Sequence, residues 1–120
     1  MKLPNPEQAI IDIEKKLIGY CLNMNHSRGG HKARVFASAL GITAADPGPL
    51  VAALRQAAAQ NDAKFRKANE YGEEFELEFI MKGRKGAFVV TSAWFIDKGS
   101  AAARLTNCYV NLRKSKRKTP

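Results

Sequence analysis

The chain has 120 residues, 45% of them hydrophobic, which is enough to build one packed core without metal or disulfide staples. Its 20 Lys and Arg against 11 Asp and Glu give a formal net charge of +9 and an isoelectric point near 9.8, a balance that favours polyanionic partners. No stretch approaches the roughly 18 uninterrupted apolar residues of a membrane span, Met1-Lys2-Leu3-Pro4-Asn5 leads into a helix pattern with no secretory apolar segment, and two cysteines, Cys21 and Cys108, do not make a disulfide framework. A soluble, cytoplasmic protein with two buried thiols and no membrane association is expected.

The charge is uneven. Arg113-Lys114-Ser115-Lys116-Arg117-Lys118 places five cations and no acid at the end of the chain, leaving 15 basic against 11 acidic residues, or +4, in residues 1–112. With no apolar residue to pack, residues 113–120 read as a disordered basic tail that solubilises the protein or adds non-specific affinity for phosphates. Residues 1–112 read as one domain.

In chain order, Asn5 is placed to cap a first helix, Pro6 suits its first turn and Gln8 sits where a capping-box partner would. Its core stripe is Ile10, Ile13, Leu17 and Cys21, with Asp12, Glu14, Lys15 and Lys16 on the wet side, and the pattern fails at Asn23-Met24-Asn25. A second helix is predicted over Lys32–Leu40, burying Ala33, Phe36 and Leu40 and ending at Gly41. A third runs from near Asp46-Pro47 to about Gln60 on Leu50, Leu54 and Ala57. From Asp62 the period becomes two. Ala63 to Tyr71 is a weak edge strand; Phe75, Leu77, Phe79 and Met81 then alternate with Glu74, Glu76, Glu78 and Ile80 in a half-buried one. Gly83-Arg84-Lys85-Gly86 turns the chain into a doubly apolar, central strand, Ala87 to Asp97, and Lys98-Gly99-Ser100 turns it again into Ala103 to Leu112. The expected fold is α+β: three N-terminal helices packed on a three- to four-stranded antiparallel sheet.

Residues with chemical potential concentrate in Asn25-His26-Ser27-Arg28-Gly29-Gly30-His31-Lys32-Ala33-Arg34, which holds both histidines. His26 and His31 can carry a proton near neutrality, Arg28, Lys32 and Arg34 can hold a phosphate, and the amides opening the second helix add an anion site. The set suits phosphate binding or RNA transesterification. It is not a Walker motif, because it lacks Gly-Lys-Ser/Thr and follows no strand. Two histidines five apart, with no nearby Cys and no acid until Asp46, fall short of a zinc site, so neither metal nor cofactor is implied. The competing explanation is structural: Gly29-Gly30 makes a turn, His31 caps a helix, and Lys32 and Arg34 are solvated.

A second constellation lies on the last strands, Thr91-Ser92-Ala93-Trp94 and Arg104-Leu105-Thr106-Asn107-Cys108-Tyr109. Alternation puts Arg104, Thr106 and Cys108 on one face and Leu105, Asn107 and Tyr109 on the other. Arg104 and Thr106 are placed to contact a phosphate and Tyr109 to stack on a base. Trp94 could also stack, but its central strand favours core packing.

Lys16 to Asn23, His26, Gly30, His31 to Phe36, Ser92 to Ile96 and Arg104 to Val110 together resemble a family of small bacterial proteins catalogued as a domain of unknown function, over nearly the whole chain except the tail. The order of elements is also similar to the toxin-nuclease fold of barnase, colicin D, colicin E5 and RelE. That resemblance implies a metal-independent endoribonuclease of toxin type, held in check by an acidic antitoxin or immunity-type protein. It implies His26 as general acid or base, Lys32 and Arg104 as phosphate clamps and Thr106 as the orienting group, with Arg28, His31, Arg34 and Tyr109 left to bind substrate. One position departs from it: Thr91 stands where an arginine is expected. The alternative is a non-catalytic module that binds nucleic acid or a protein with the same basic surface.

Overall fold

The computed structural model describes residues 2–4 and 10–116; the Asn5, Pro6 and Gln8 cap lies outside the described residues, as does the side chain of Ile10. Helix α1 (Ile10–Lys16) runs directly into a π-helical turn (Leu17–Cys21), marked by the Leu22 amide donating to the Leu17 carbonyl at 2.7 Å. Ile13, Leu17 and Cys21 are buried as the spacing predicts, and the wider turn brings Leu22 into the core beside them. Helix α2 (Gly30–Leu40) begins two residues earlier than the sequence suggests and ends at Gly41, whose left-handed backbone, φ 69°, lets its amide reach the Ala37 carbonyl. Ala33 and Phe36 are buried as expected, but Ala39 rather than Leu40 takes the innermost position of the last turn. Helix α3 (Gly48–Gln60) follows Pro47 and buries Leu50, Leu54, Ala57 and Ala58.

Four strands, β1 (Lys64–Asn69), β2 (Gly72–Gly83), β3 (Gly86–Asp97) and β4 (Arg104–Val110), form an antiparallel sheet in sequence order. The α+β class and the antiparallel sheet are therefore as expected, with β1 an edge strand exposed along its length. Register pairs Phe75 with Trp94, Leu77 with Ser92 and Phe79 with Val90, which gathers the apolar residues of β2 and β3 on the face that α1, α2 and α3 cover. Glu74, Glu76 and Glu78 take the other face. A helix that the sequence did not announce, α4 (Leu112–Lys116), packs on β3 and places Lys114 Nζ 2.8 Å from a Glu78 carboxylate oxygen.

In β4 the alternation predicted from sequence is wrong, for a local reason. A β-bulge interrupts the register between Ala93 and Trp94: Ala93 faces Asn107 while Trp94 faces Leu105, so Thr106 is the extra residue. The phase reverses there, and Leu105, Cys108 and Val110 all end on the helix-covered face, each nearly or fully buried. Arg104 and Thr106 consequently do not share a face with Cys108. The Thr106 hydroxyl donates to the Ala93 carbonyl at 3.1 Å and so closes the bulge.

Trp94 is fully buried, which rules out stacking on a ligand. Its indole N–H donates to Ser92 Oγ at 2.9 Å, and that hydroxyl donates to the Leu77 carbonyl at 2.7 Å. Substituting Ser92→Ala leaves the indole N–H without a partner in a dry core and should destabilise the fold by about 1–3 kcal/mol, measured by denaturant unfolding.

Candidate functional site

The turn entering α2 is organised by His26. Its Nδ1 accepts from the backbone amides of Arg28 (3.0 Å) and Gly29 (3.1 Å), and its carbonyl accepts from the Gly30 amide at 2.9 Å. This nucleates the helix ahead of Lys32, which explains the early start of α2. Neither histidine side chain caps α2, whose N-cap is Gly29; His26 instead ties down the turn before it, so that the amides of residues 28–30 are satisfied inside the protein. The two glycines serve the same packing: a Cβ on Gly30 would stand 2.6 Å from the Met24 carbonyl oxygen, and one on Gly29 3.0 Å from Tyr20. With Nδ1 an acceptor, the neutral ring carries its proton on Nε2. The imidazole stands edge-on to Tyr20, 4.7 Å between centroids at 86°.

Tyr20 belongs to the π-helical turn, and through it the loop meets a cleft of about 500 Å³ lined by Lys15, Lys16, Gly19, Tyr20, His26 and Arg104, together with Leu105. His26 and Arg104, singled out on separate segments, are thus brought to one place. The bulge makes this so, because Leu105 anchors the start of β4 in the core beneath α1 while Arg104 stays exposed. No carboxylate is among the described residues that line the cleft. Arg104 is oriented by a bidentate pair with Asp97 (2.8 and 3.2 Å) and lies 5.2 Å from the Phe95 ring centroid. The hydrogen bonds that Arg104 donates, helped by its charge, hold the Asp97 carboxyl below the ordinary carboxylate range.

Lys15 and Lys16 are the residues that sequence reasoning missed. On a helix whose other face is apolar, two lysines read as solvated, and only the packing of α1 on β4 shows that they face Arg104 across a cleft. Lys16 Nζ also lies 5.7 Å from the Tyr20 ring centroid. The remaining predicted residues divide differently. Lys32 sits over Tyr109, 4.5 Å from its ring centroid, so this cation and this aromatic engage each other. Arg34 donates to the Met24 carbonyl at 3.1 Å and props the loop. Arg28 and His31 are exposed on the loop and the first turn of α2. None of Arg28, His31, Lys32, Arg34, Thr106 and Tyr109 lines the cleft. Thr91 is buried on the sheet's other face; its hydroxyl donates to Glu78 Oε2 and accepts from Asn111 Nδ2.

Beneath the cleft Cys21 and Cys108 are buried free thiols. Burial pushes Cys21 up to about 11 against the opposing pull of Lys16, and pushes Cys108 well above the ordinary thiol value, so neither is a nucleophile near neutrality.

Residues 2–112 match the family model described as a domain of unknown function (DUF6883), as the resemblance to such a family led one to expect. No curated protein and no solved structure matches the chain. No helix among the described residues is long and apolar enough to cross a membrane.

Two outcomes test the site as built. Because the unfolded thiols ionise near 9.0 and the buried ones higher, their contribution to stability is complete below 9.0 and is lost as pH rises from there toward about 11. Melting temperature should therefore fall across that window, less steeply in Cys21→Ala, with native thiols inert to a thiol reagent at neutral pH. In Arg104→Ala, NMR should find Asp97 titrating near the ordinary value of 3.8, with the melting temperature nearly unchanged since the pair is exposed.

Proposed function

The chain belongs to the DUF6883 family, and from its cleft we propose that it binds RNA and cleaves it without a metal, by transesterification, as toxin-type endoribonucleases do. The observation that carries this reading is the convergence of Lys15, Lys16, His26 and Arg104 on one cleft with no carboxylate in its described lining. In such a reaction a base takes the 2′-hydroxyl proton, the 2′-oxygen attacks phosphorus, and the 5′-oxygen leaves with a proton, giving a 2′,3′-cyclic phosphate and a 5′-hydroxyl end. The phosphorane carries extra negative charge, and preorganised cations around it lower the barrier. Lys15, Lys16 and Arg104 supply that field. His26 presents Nε2–H as a hydrogen-bond donor, which suits the phosphoryl oxygens, while a lysine ammonium of the cleft can give the leaving oxygen its proton. As a base it would first have to free Nδ1 from the Arg28 and Gly29 amides, and the lysines act here as cations, so the 2′-hydroxyl proton leaves to solvent water. Lys32, Thr106 and Tyr109 act in this reading by shaping the β4 edge. A protein that restrains the activity would be acidic and would occupy the same cleft.

A second reading, a non-catalytic module that only binds nucleic acid there, is favoured by one observation: the His26 lone pair is already engaged by two amides.

The purified chain incubated with tRNA and mRNA in EDTA should yield defined fragments with cyclic phosphate ends. His26→Asn keeps an acceptor for the two amides and removes the Nε2 donor; it should slow cleavage about 10²- to 10⁴-fold with RNA binding retained. Lys16→Gln should weaken both binding and its salt dependence. Intact RNA that is nonetheless bound in a salt-sensitive way would replace the catalytic reading with the binding one, and no binding at all would remove both.

A further inference from the structure

The helical glycine at position 19 has no structural explanation. It lies inside the continuous helical run from Ile10 to Cys21, its φ is not positive, and a Cβ built on it would meet nothing within 4 Å. Gly29 and Gly30 have close neighbours that exclude a side chain, and Gly41, Gly72, Gly86 and Gly99 have positive φ. Inside a helix a glycine is worse than alanine by about 0.5–1 kcal/mol, so position 19 is held at a disadvantage that its own fold does not require. What distinguishes it is place: it lines the cleft between Lys15 and Lys16, one turn before it, and Tyr20, which touches His26.

We infer that Gly19 is the bare floor of this cleft, over which the sugar–phosphate chain of a single RNA strand passes in contact with the backbone. This rests on the RNA reading above and names the form of RNA. Gly19 lies in the same lining as Lys15, Lys16 and Arg104, so a strand whose phosphates meet these cations passes over it. Any side chain at position 19 would stand in its path. The cleft is an open groove of about 500 Å³, and a single strand, whose backbone bends freely, follows such a floor more closely than a rigid duplex does.

The experiment measures thermal stability and binding of a single-stranded oligoribonucleotide, with its duplex as competitor, for the wild type, Gly19→Ala and Gly19→Leu. Both replacements are good helix formers, so the expected melting temperature rises by about 2–4 °C in the alanine variant and does not fall in the leucine one. Affinity should drop about tenfold for alanine and further for leucine, while the duplex competes poorly in every case. Stable variants that bind RNA like the wild type would overturn the inference and leave the RNA reading standing, as would a fall in melting temperature, which would give the glycine a structural role. A wild type that binds no RNA would instead sink the RNA reading and this inference with it.

Discussion

The extra residue in β4 governs the rest of the structure. Without the bulge at Thr106, strict alternation would put Leu105 and Cys108 on opposite faces of an edge strand, and the α1 stripe would meet only half of its apolar partners. With it, Leu105, Cys108 and Val110 form one apolar row against which Leu17 and Cys21 pack. Burying one such row is a matter of several side chains at roughly 1.5–3 kcal/mol each, far more than a single unpaired ladder position costs. The irregularity is retained because the core demands it, and the Thr106 hydroxyl satisfies the carbonyl it exposes. Its chemical consequence is indirect: the same phase reversal that seats Leu105 leaves Arg104 in solvent at the mouth of the cleft.

A second constraint converges on the same place from the other side. Gly29 and Gly30 allow the start of α2 to press against Tyr20 and Met24, and His26 takes up the amides that this sharp entry would otherwise orphan. The imidazole is therefore a structural group whose outer nitrogen is spare. Residues that fold the loop and residues that face the cleft overlap in one side chain, which fixes the direction of the Nε2–H far better than a free surface histidine could.

Periodicity was sufficient for most of the fold because the apolar residues are unambiguous: Leu50, Leu54 and Ala57 in α3, and Phe75 and Leu77 in β2, lie where their spacing puts them. It failed where geometry departs from a regular repeat. The π-helical turn and the bulge each shift phase by a local insertion that no pattern of residue types announces, and both adjoin the cleft. The site was legible in part. His26 and Arg104 stood out as unusual polar residues, and the structure brings them together. Lys32 and Tyr109 looked equally available but satisfy one another, a contact between a helix and an edge strand that one-dimensional reasoning does not see. Lys15 and Lys16 carried no signal, since a lysine on the polar side of an amphipathic helix is the commonest of solvated residues.

The distribution of acids gives the cleft its sign. Three carboxylates of the sheet are held by cations of the sheet or of α4: Glu76 by Arg66, Glu78 by Lys114 and Asp97 by Arg104. The described lining of the cleft holds none, and three cations there face one another in a space that a phosphate can fill. Cations without a carboxylate in one lining set a positive local potential there. Asp97 holds the Arg104 guanidinium in place by a bidentate pair and is not itself among the described residues that line the cleft. A carboxylate introduced into the cleft wall would cancel part of that potential, so the sign of the lining, more than the identity of any single cation, sets the charge of ligand this surface favours.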